Sequence, residues 1–172
     1  MFKRLSFVLI LVSAAWVARA AGSVSPVSLA EVRLTPLEIQ AGPADKNQIG
    51  SSGLTGVHTK VLAGDPSKSG FYSILLFVPA RTTINAHSHR DDRMATVVAG
   101  TWHFGYGDHF DATLLKELPP GSVYSEPGNP EHNHFAQTGA EAVVVHIVGY
   151  GPTDTRYVNP ADDPKAAKGQ AR

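Results

Sequence analysis

The sequence predicts an all-β protein built as an antiparallel sandwich or jelly-roll β-barrel. Short runs of β-branched and aromatic residues recur between Gly, Pro, Asn and Asp from residue 57 to residue 149. The stretches between these runs are too short for crossover helices, so the strands should pair in antiparallel fashion. The chain has 172 residues, of which 42% are hydrophobic, enough for one domain with a core of its own.

Individual strands are predicted where the apolar runs are clearest, and we expect about eight in all. The runs are residues 57–62, 71–78, 94–98, 101–106, 122–124 and 142–148. One segment, residues 111–118, predicts a helix instead, with Asp111 as its N-cap and Pro119 as its stop.

The first twenty residues read as a secretory signal peptide. Residues 1–4 form a short basic start, residues 5–17 are apolar, and residues 18–20 are a small-x-small cleavage site before Ala21. The apolar run is shorter than the roughly 20 residues that span a bilayer. Cleavage would remove three of the 15 basic residues and leave a net charge of 12 − 15 = −3. We therefore expect a periplasmic or secreted protein that does not remain in the membrane.

The remaining chain divides into three parts. Residues 21–52 are rich in Ala, Gly, Ser and Pro and predict an arm or linker, with a possible edge strand at 31–34. Residues 53–158 should form the β-barrel. Residues 159–172 contain no apolar residue other than Ala, Gly and Pro, and they predict a disordered tail.

Composition excludes several classes of function. The formal net charge of zero argues against nucleic acid as a partner, because phosphate binding requires clustered Lys and Arg. The lack of Cys excludes disulfides, a thiolate nucleophile and Cys-ligated metals. The chain also has no HExxH, GxSxG or phosphate-loop motif.

Two histidine pairs carry the chemistry of this sequence. His87 and His89 are two residues apart, and His132 and His134 repeat the spacing. Residues two apart on a strand face the same side, so each pair can direct two imidazoles to one point. Imidazole-rich sites suit Zn, Fe, Mn, Ni or Cu better than Ca or Mg, so the sequence predicts a divalent transition-metal site.

The residues around these two pairs are spaced in a way that resembles the two signature motifs of the cupin superfamily. The first motif is HxH, three or four residues, Glu, six residues and Gly, and it is similar to the stretch from His87 to Gly100. The second begins at Gly121 and runs through Pro127 to His132. The resemblance covers residues 70–150 and implies a double-stranded β-helix with the histidines facing its interior. It also implies a homodimer, formed through an outer sheet or exchanged N-terminal arms.

The chain departs from the family at the position of the metal-binding Glu, which is Arg93 here. Asn129 and Ala136 replace the usual Gly and Asn of the second motif. If the strand of His87 and His89 continues, Arg93 points inward. An unscreened guanidinium about 6 Å from a divalent ion would be repelled by about 5 kcal/mol at an effective dielectric of ~20.

Three arrangements resolve this conflict. An acid, Asp91, Asp92 or Glu126, pairs with Arg93 and leaves the histidines free, which is the arrangement we favour. Alternatively, one of these acids replaces the missing Glu as a ligand. In the third arrangement there is no metal, and Arg93 anchors the carboxylate or phosphate of an organic ligand.

Either His132 or His134 can supply the third imidazole ligand. The two residues are two apart, so on a strand both would face the same side, and the sequence does not choose between them. His146 lies in an apolar strand and is a weaker candidate for a ligand or for a group that supports one.

Two functions follow from these residues. One is a periplasmic metal-dependent oxidoreductase, isomerase or hydrolase acting on a small, possibly carboxylated, molecule. The other is a non-catalytic or metal-free protein that binds a small ligand as a sensor or carrier, with Arg93 holding an anion.

Overall fold

The computed structural model describes residues 29–43 and 48–169. The predicted signal peptide, residues 1–20, lies outside the described residues, as does the start of the predicted arm.

Ten strands form two five-stranded sheets. The strands are β1 (His58–Gly64), β2 (Gly70–Val78), β3 (Thr83–Ser88), β4 (Arg93–Ala99), β5 (Trp102–Tyr106), β6 (Lys116–Leu118), β7 (Val123–Glu126), β8 (His134–Thr138), β9 (Val143–Gly151) and β10 (Arg156–Tyr157). The first sheet has the order β1-β2-β9-β4-β7 and the second the order β10-β3-β8-β5-β6. Every pairing is antiparallel. This jelly-roll arrangement confirms the predicted fold class, although the two sheets do not close into one hydrogen-bonded barrel.

One apolar core fills the space between the sheets. Strand β9 supplies Val143, Val145 and Ile147, which are fully buried and alternate with half-buried residues, as expected for a strand with one face on a core. Ile84 and Phe104 enter the same cluster from the second sheet. At one end of this interior the buried side chains are polar instead of apolar, and the candidate site lies there.

The helix predicted over residues 111–118 is wrong. A short 3₁₀ helix, Ala112–Leu114, follows Asp111, whose carboxylate accepts a hydrogen bond from the Thr113 amide. The chain then forms strand β6, which pairs with β5 and buries Leu118. Pairing with a neighbouring strand overrides the local helical preference here.

The N-terminal arm differs from the sequence prediction as well. Residues 31–34 form no strand, and the helix α1 (Pro36–Ala41) follows them. A capping box between Thr35 and Glu38, with Pro36 at the first helical position, explains why this short helix forms. Leu37 on this helix is 77% exposed.

The C-terminal segment has regular structure where the sequence predicted none. It contains a 3₁₀ helix, Pro160–Asp162, and the helix α2, Pro164–Gly169. Asn159 accepts a hydrogen bond from the Ala161 amide and Asp163 from the Lys165 amide, so local capping starts both turns. In the described part of the chain, neither α-helix is long and apolar enough to span a bilayer.

Candidate metal centre

Three buried histidines meet at the polar end of the interior. His87 on β3 pairs directly with His134 at the start of β8, and His89 follows the end of β3. Their side chains come close enough that one ring nitrogen from each lies within 4.8 Å of the others. All three residues are at most 6% exposed.

A register shift in β3 makes this arrangement possible. The pairing of β3 with β8 is irregular between Ile84 and His87. In a regular strand, residues three apart point to opposite faces. Ile84 and His87 are three residues apart, yet both side chains line the interior cavity, because the irregularity between them adds one residue to β3.

Backbone carbonyls orient each of the three rings. The Nδ1 atom of His87 lies 2.8 Å from the Asn85 carbonyl oxygen, and that of His89 lies 2.5 Å from the Asp154 carbonyl oxygen. His134 Nδ1 makes a longer contact of 3.4 Å with the carbonyl oxygen of His132. Carbonyl oxygens only accept, so Nδ1 carries the proton and each Nε2 is the ring nitrogen with a lone pair that can accept a hydrogen bond or bind a metal.

His134 Nε2 is buried and has no hydrogen-bond partner among the described residues. The nearest carboxylate oxygen, Glu126 Oε1, is 3.7 Å away, which is too long for a hydrogen bond. A buried acceptor without a partner is unfavourable unless something binds it.

An ion pair from the opposite sheet closes the other side of the cluster. Arg93 on β4 and Glu126 on β7 are direct cross-strand partners and are both 4% exposed. Arg93 Nε donates to Glu126 Oε2 at 2.5 Å, and Nη2 contacts the same oxygen. Glu126 balances the charge of the guanidinium, as the arrangement favoured from the sequence expected, but the histidines are not left free of Arg93.

Arg93 also contacts the cluster itself. Its Nη2 donates to His89 Nε2 at 2.6 Å, and its Nη1 donates to the Gly50 carbonyl oxygen at 3.2 Å. The sequence predicted inward orientation of Arg93 from continued strand parity, but β3 ends at Ser88 and a turn precedes β4. Arg93 is the first residue of β4, and its buried side chain lies on the inner face of that strand. Its inward orientation is therefore set by β4 and not by a continuation of β3.

Burial keeps the three imidazoles neutral. Burial, and after it the neighbouring His134, lowers the pKa of His87 to about 3. The pKa of His134 falls to about 3 because of burial and then the charge of Arg93. The same two causes hold the pKa of His89 well below its usual value. Neutral imidazoles are the form that binds metals.

The cavity between these side chains is small. Its volume is about 20 Å³, and its walls include the rings of Trp102 and Phe104 as well as the residues Gly50 and Ser52. This volume holds about one water molecule or one ion.

Two of the predicted site residues lie outside the cluster. His132 is exposed in the turn before β8 and contributes its carbonyl oxygen rather than its ring. His146 lies on the face of β9 opposite the buried Val145 and Ile147, and its Nε2 contacts Ser73 Oγ at 2.8 Å. Neither ring is directed at the point where the other three converge.

Sequence reasoning missed the residues that support the site from a distance. The Asp154 carbonyl reaches His89 from 65 residues away, and Tyr157 on β10 packs its ring 5.5 Å from that of His87. Only the pairing of β10 with β3 brings them there, and no local motif encodes that pairing.

The donor set fits a transition metal. Three neutral imidazoles with oriented Nε2 atoms, one of them unpartnered, could hold a metal ion, and a carboxylate lies beside them. The contact from Arg93 occupies the lone pair of His89, so coordination by all three rings requires that Nη2 withdraw.

Comparisons with known proteins support the fold. No family model matches the sequence, and no curated protein matches it. The structure is similar to that of the polyketide cyclase RemF from Streptomyces resistomycificus, with a TM-score of 0.59 and 16% identity over 81% of this chain and 94% of that one. KdgF from a Halomonas species gives a TM-score of 0.48 and 15% identity over 65% and 91% of the two chains. A sugar phosphate isomerase of the cupin superfamily from Silicibacter pomeroyi gives 0.46 and 16% identity over 64% and 76%.

Proposed function

We propose that this protein, which has the fold of the cupin superfamily, binds one divalent transition-metal ion through His87, His89 and His134. The observation that carries the proposal is the orientation of the three rings. Each Nδ1 faces a backbone carbonyl oxygen, and the ring nitrogens available as ligands lie within 4.8 Å of one another. Zn, Fe, Mn, Ni and Cu are all compatible with an imidazole-rich set.

When bound, such an ion supplies Lewis-acid chemistry at positions that the protein leaves open. The residues around it have separate tasks. Glu126 places a negative charge 3.6 Å from His89 Nε2 and 3.7 Å from His134 Nε2, where it offsets positive charge in a buried site. Arg93 holds that carboxylate in place, and Trp102 and Phe104 limit access of water.

We further propose that the ligand or substrate is a small, carboxylated molecule. An enzymatic role on such a molecule is part of this proposal, and a polyketide cyclase has a similar fold. The metal-dependent reaction would be an oxidation, an isomerisation or a hydrolysis.

A second candidate function is a metal-free binding protein. The hydrogen bond of 2.6 Å from Arg93 Nη2 to His89 Nε2 favours it, because the guanidinium then occupies a position next to the rings that a metal would use. In this candidate, an anionic ligand would compete with Glu126 for Arg93.

Export and dimer formation belong to the same proposal. The basic and apolar start of the sequence supports export to the periplasm or secretion. Exposed Met94, Val98, Val123 and Tyr150 on the outer face of the first sheet support a homodimer that covers them. Sedimentation of the purified protein tests this, and a monomer at micromolar concentration would contradict it.

A calorimetric zinc titration of metal-free protein tests the metal proposal. The wild type should bind one equivalent, and His134→Ala should weaken binding by about 100-fold or more. His132→Ala is the matched control, because it removes an imidazole two residues away and retains the carbonyl that faces His134. Equal zinc affinity in the wild type and His134→Ala would contradict the site.

A further inference from the structure

The histidine cavity is closed by a segment that belongs to neither sheet. Among the described residues that line the cavity, only Gly50, Ser52 and His89 lie outside the strands. Gly50 and Ser52 come from residues 48–56, which precede β1. Ser51 and Ser52 are 5% and 6% exposed, which is low for serines in a connecting segment. The segment therefore covers the candidate metal centre.

Three consecutive carbonyl oxygens tie this segment to the rest of the protein. The Gly50 carbonyl accepts from Arg93 Nη1 at 3.2 Å, and the Ser51 carbonyl accepts from Thr155 Oγ1 at 2.9 Å. The Ser52 carbonyl accepts from Tyr157 Oη at 2.7 Å. Water can replace each of these bonds when the segment moves away, so their net contribution to closure is modest.

The segment also has internal structure that does not depend on these ties. The hydroxyl of Ser51 accepts from the Gly53 amide, and that of Ser52 accepts from the Leu54 amide. Gly56, at the end of the segment, has a φ of +82°, a left-handed conformation that glycine adopts without strain. The segment can therefore keep the turns at Ser51 and Ser52 when its ties to the rest of the protein break.

A second cavity lies on the outer side of the segment. Its volume is about 260 Å³, and Arg90, Asp154 and Lys165 give it a polar and charged wall. Gly50 lines both this outer cavity and the inner one, so it is part of the partition between them. Displacement of the segment would connect the outer cavity with the histidines.

We infer that residues 48–56 form a lid that opens to admit metal or ligand to the histidine cluster. The inner cavity alone is too small for an organic molecule, so access to the cluster requires this movement. Tyr157 and Thr155 hold the lid closed, and Arg93 ties the lid to the cluster. The inference rests on the proposed function only in so far as the cluster is the site that ligands must reach.

Hydrogen exchange of the full metal-free chain tests the lid directly. The amide of Thr59 on β1 donates to Gln48 Oε1 of the lid at 2.8 Å. It should exchange at least about tenfold faster than the amides of strand β2, because lid opening removes this partner without global unfolding. Tyr157→Phe removes the hydroxyl and keeps the ring against His87, and it should speed lid exchange about two- to tenfold. A Thr59 amide that exchanges at the rate of β2 in both proteins would overturn the inference.

A matched control is available in Tyr106. Its hydroxyl donates to the Ser125 carbonyl at 2.7 Å, the same length as the bond from Tyr157. Tyr106 is far from the lid in sequence and lies on β5, three strands away from β10 in the same sheet. Tyr106→Phe should leave lid exchange unchanged. Equal acceleration of lid exchange by both variants would overturn the assignment of Tyr157 as a lid contact.

Zinc-binding kinetics provide a second readout. If Tyr157 only holds the lid, Tyr157→Phe should raise the association and dissociation rates by the same factor, and the affinity should change by less than about twofold. A weaker affinity with an unchanged association rate would overturn the lid role and make Tyr157 part of the site. If the wild type binds no zinc, the proposed function fails, and hydrogen exchange still decides the lid.

Discussion

Arg93 and His89 share a hydrogen bond of 2.6 Å between Nη2 and Nε2 in the interior of the protein. The same guanidinium pairs with Glu126, and all three residues are at most 4% exposed. A metal held by the histidines must compete with this contact for the lone pair of His89. The contact therefore sets the metal affinity as well as the stability of the metal-free protein.

Replacing Arg93 with an apolar residue of similar length should tighten metal binding. Arg93→Met frees His89 Nε2 and removes a positive charge beside the ion, and it leaves Glu126 unpaired within reach of the metal. We expect zinc affinity to rise by about tenfold or more, as measured by competition with a chelator. Unchanged affinity would mean that the guanidinium does not oppose the metal.

The Arg93–Glu126 pair should behave as one unit in folding. Arg93→Met or Glu126→Leu alone leaves a buried charge without its partner, which costs about 3–5 kcal/mol in the metal-free protein. The double variant should lose much less than the sum of the two single losses. Denaturant unfolding of the four proteins measures this coupling, and additive losses would contradict it.

The metal-free protein should lose stability as the pH falls below 6.5. The pKa values of His87 and His134 are lowered to about 3 by burial first, with His134 lowering that of His87 and Arg93 lowering that of His134. The unfolded chain, whose histidines keep a pKa near 6.5, therefore takes up protons that the folded protein does not. The stabilisation is complete above pH 6.5 and is lost progressively between pH 6.5 and about 3.

Denaturant unfolding between pH 7.5 and 5.5 isolates this effect from the titration of carboxylates. Each buried histidine contributes a loss of at most about 1.4 kcal/mol per pH unit. His134→Gln should reduce the pH dependence, whereas His132→Gln, at an exposed position, should retain it. A free energy of unfolding that stays constant over this range would contradict neutral, buried imidazoles.

Packing against Phe135 makes Gly105 sensitive to substitution. A Cβ atom at Gly105 would lie 2.6 Å from Phe135 Cε2, and the Phe135 side chain is fully buried. Gly105→Ala should therefore destabilise the protein by about 1–3 kcal/mol. Gly139→Ala is the control, because its Cβ would meet only His103 Cε1 at 3.9 Å. Thermal unfolding measures the melting temperature of each variant. Equal decreases in melting temperature for Gly105→Ala and Gly139→Ala would contradict this packing.

The fold could be predicted from the sequence because its strands carry local patterns. The alternation in residues 142–148 and the apolar run at 71–78 match the strands β9 and β2 closely. The helix α1 is encoded locally as well, in the capping box from Thr35 to Glu38, a signal that the prediction of an arm or linker over residues 21–52 does not use.

The site could be predicted only in part because its details depend on sheet register. His132 and His134 have the same parity, and the choice between them depends on where β8 begins, at His134. The partner of Arg93 is Glu126, 33 residues away, and only the pairing of β4 with β7 selects it over Asp91 and Asp92. Patterns along the chain name the candidates but do not determine which of them meet.

X-ray absorption at the zinc edge tests the central claim most directly. The protein would be loaded with one equivalent of zinc and measured at neutral pH. The account predicts scattering from three imidazole rings, with Zn–N distances of about 2.0–2.1 Å, and loss of one ring in His134→Ala. A shell of oxygen atoms with no imidazole scattering, or identical spectra for the wild type and His134→Ala, would contradict a metal centre built from His87, His89 and His134.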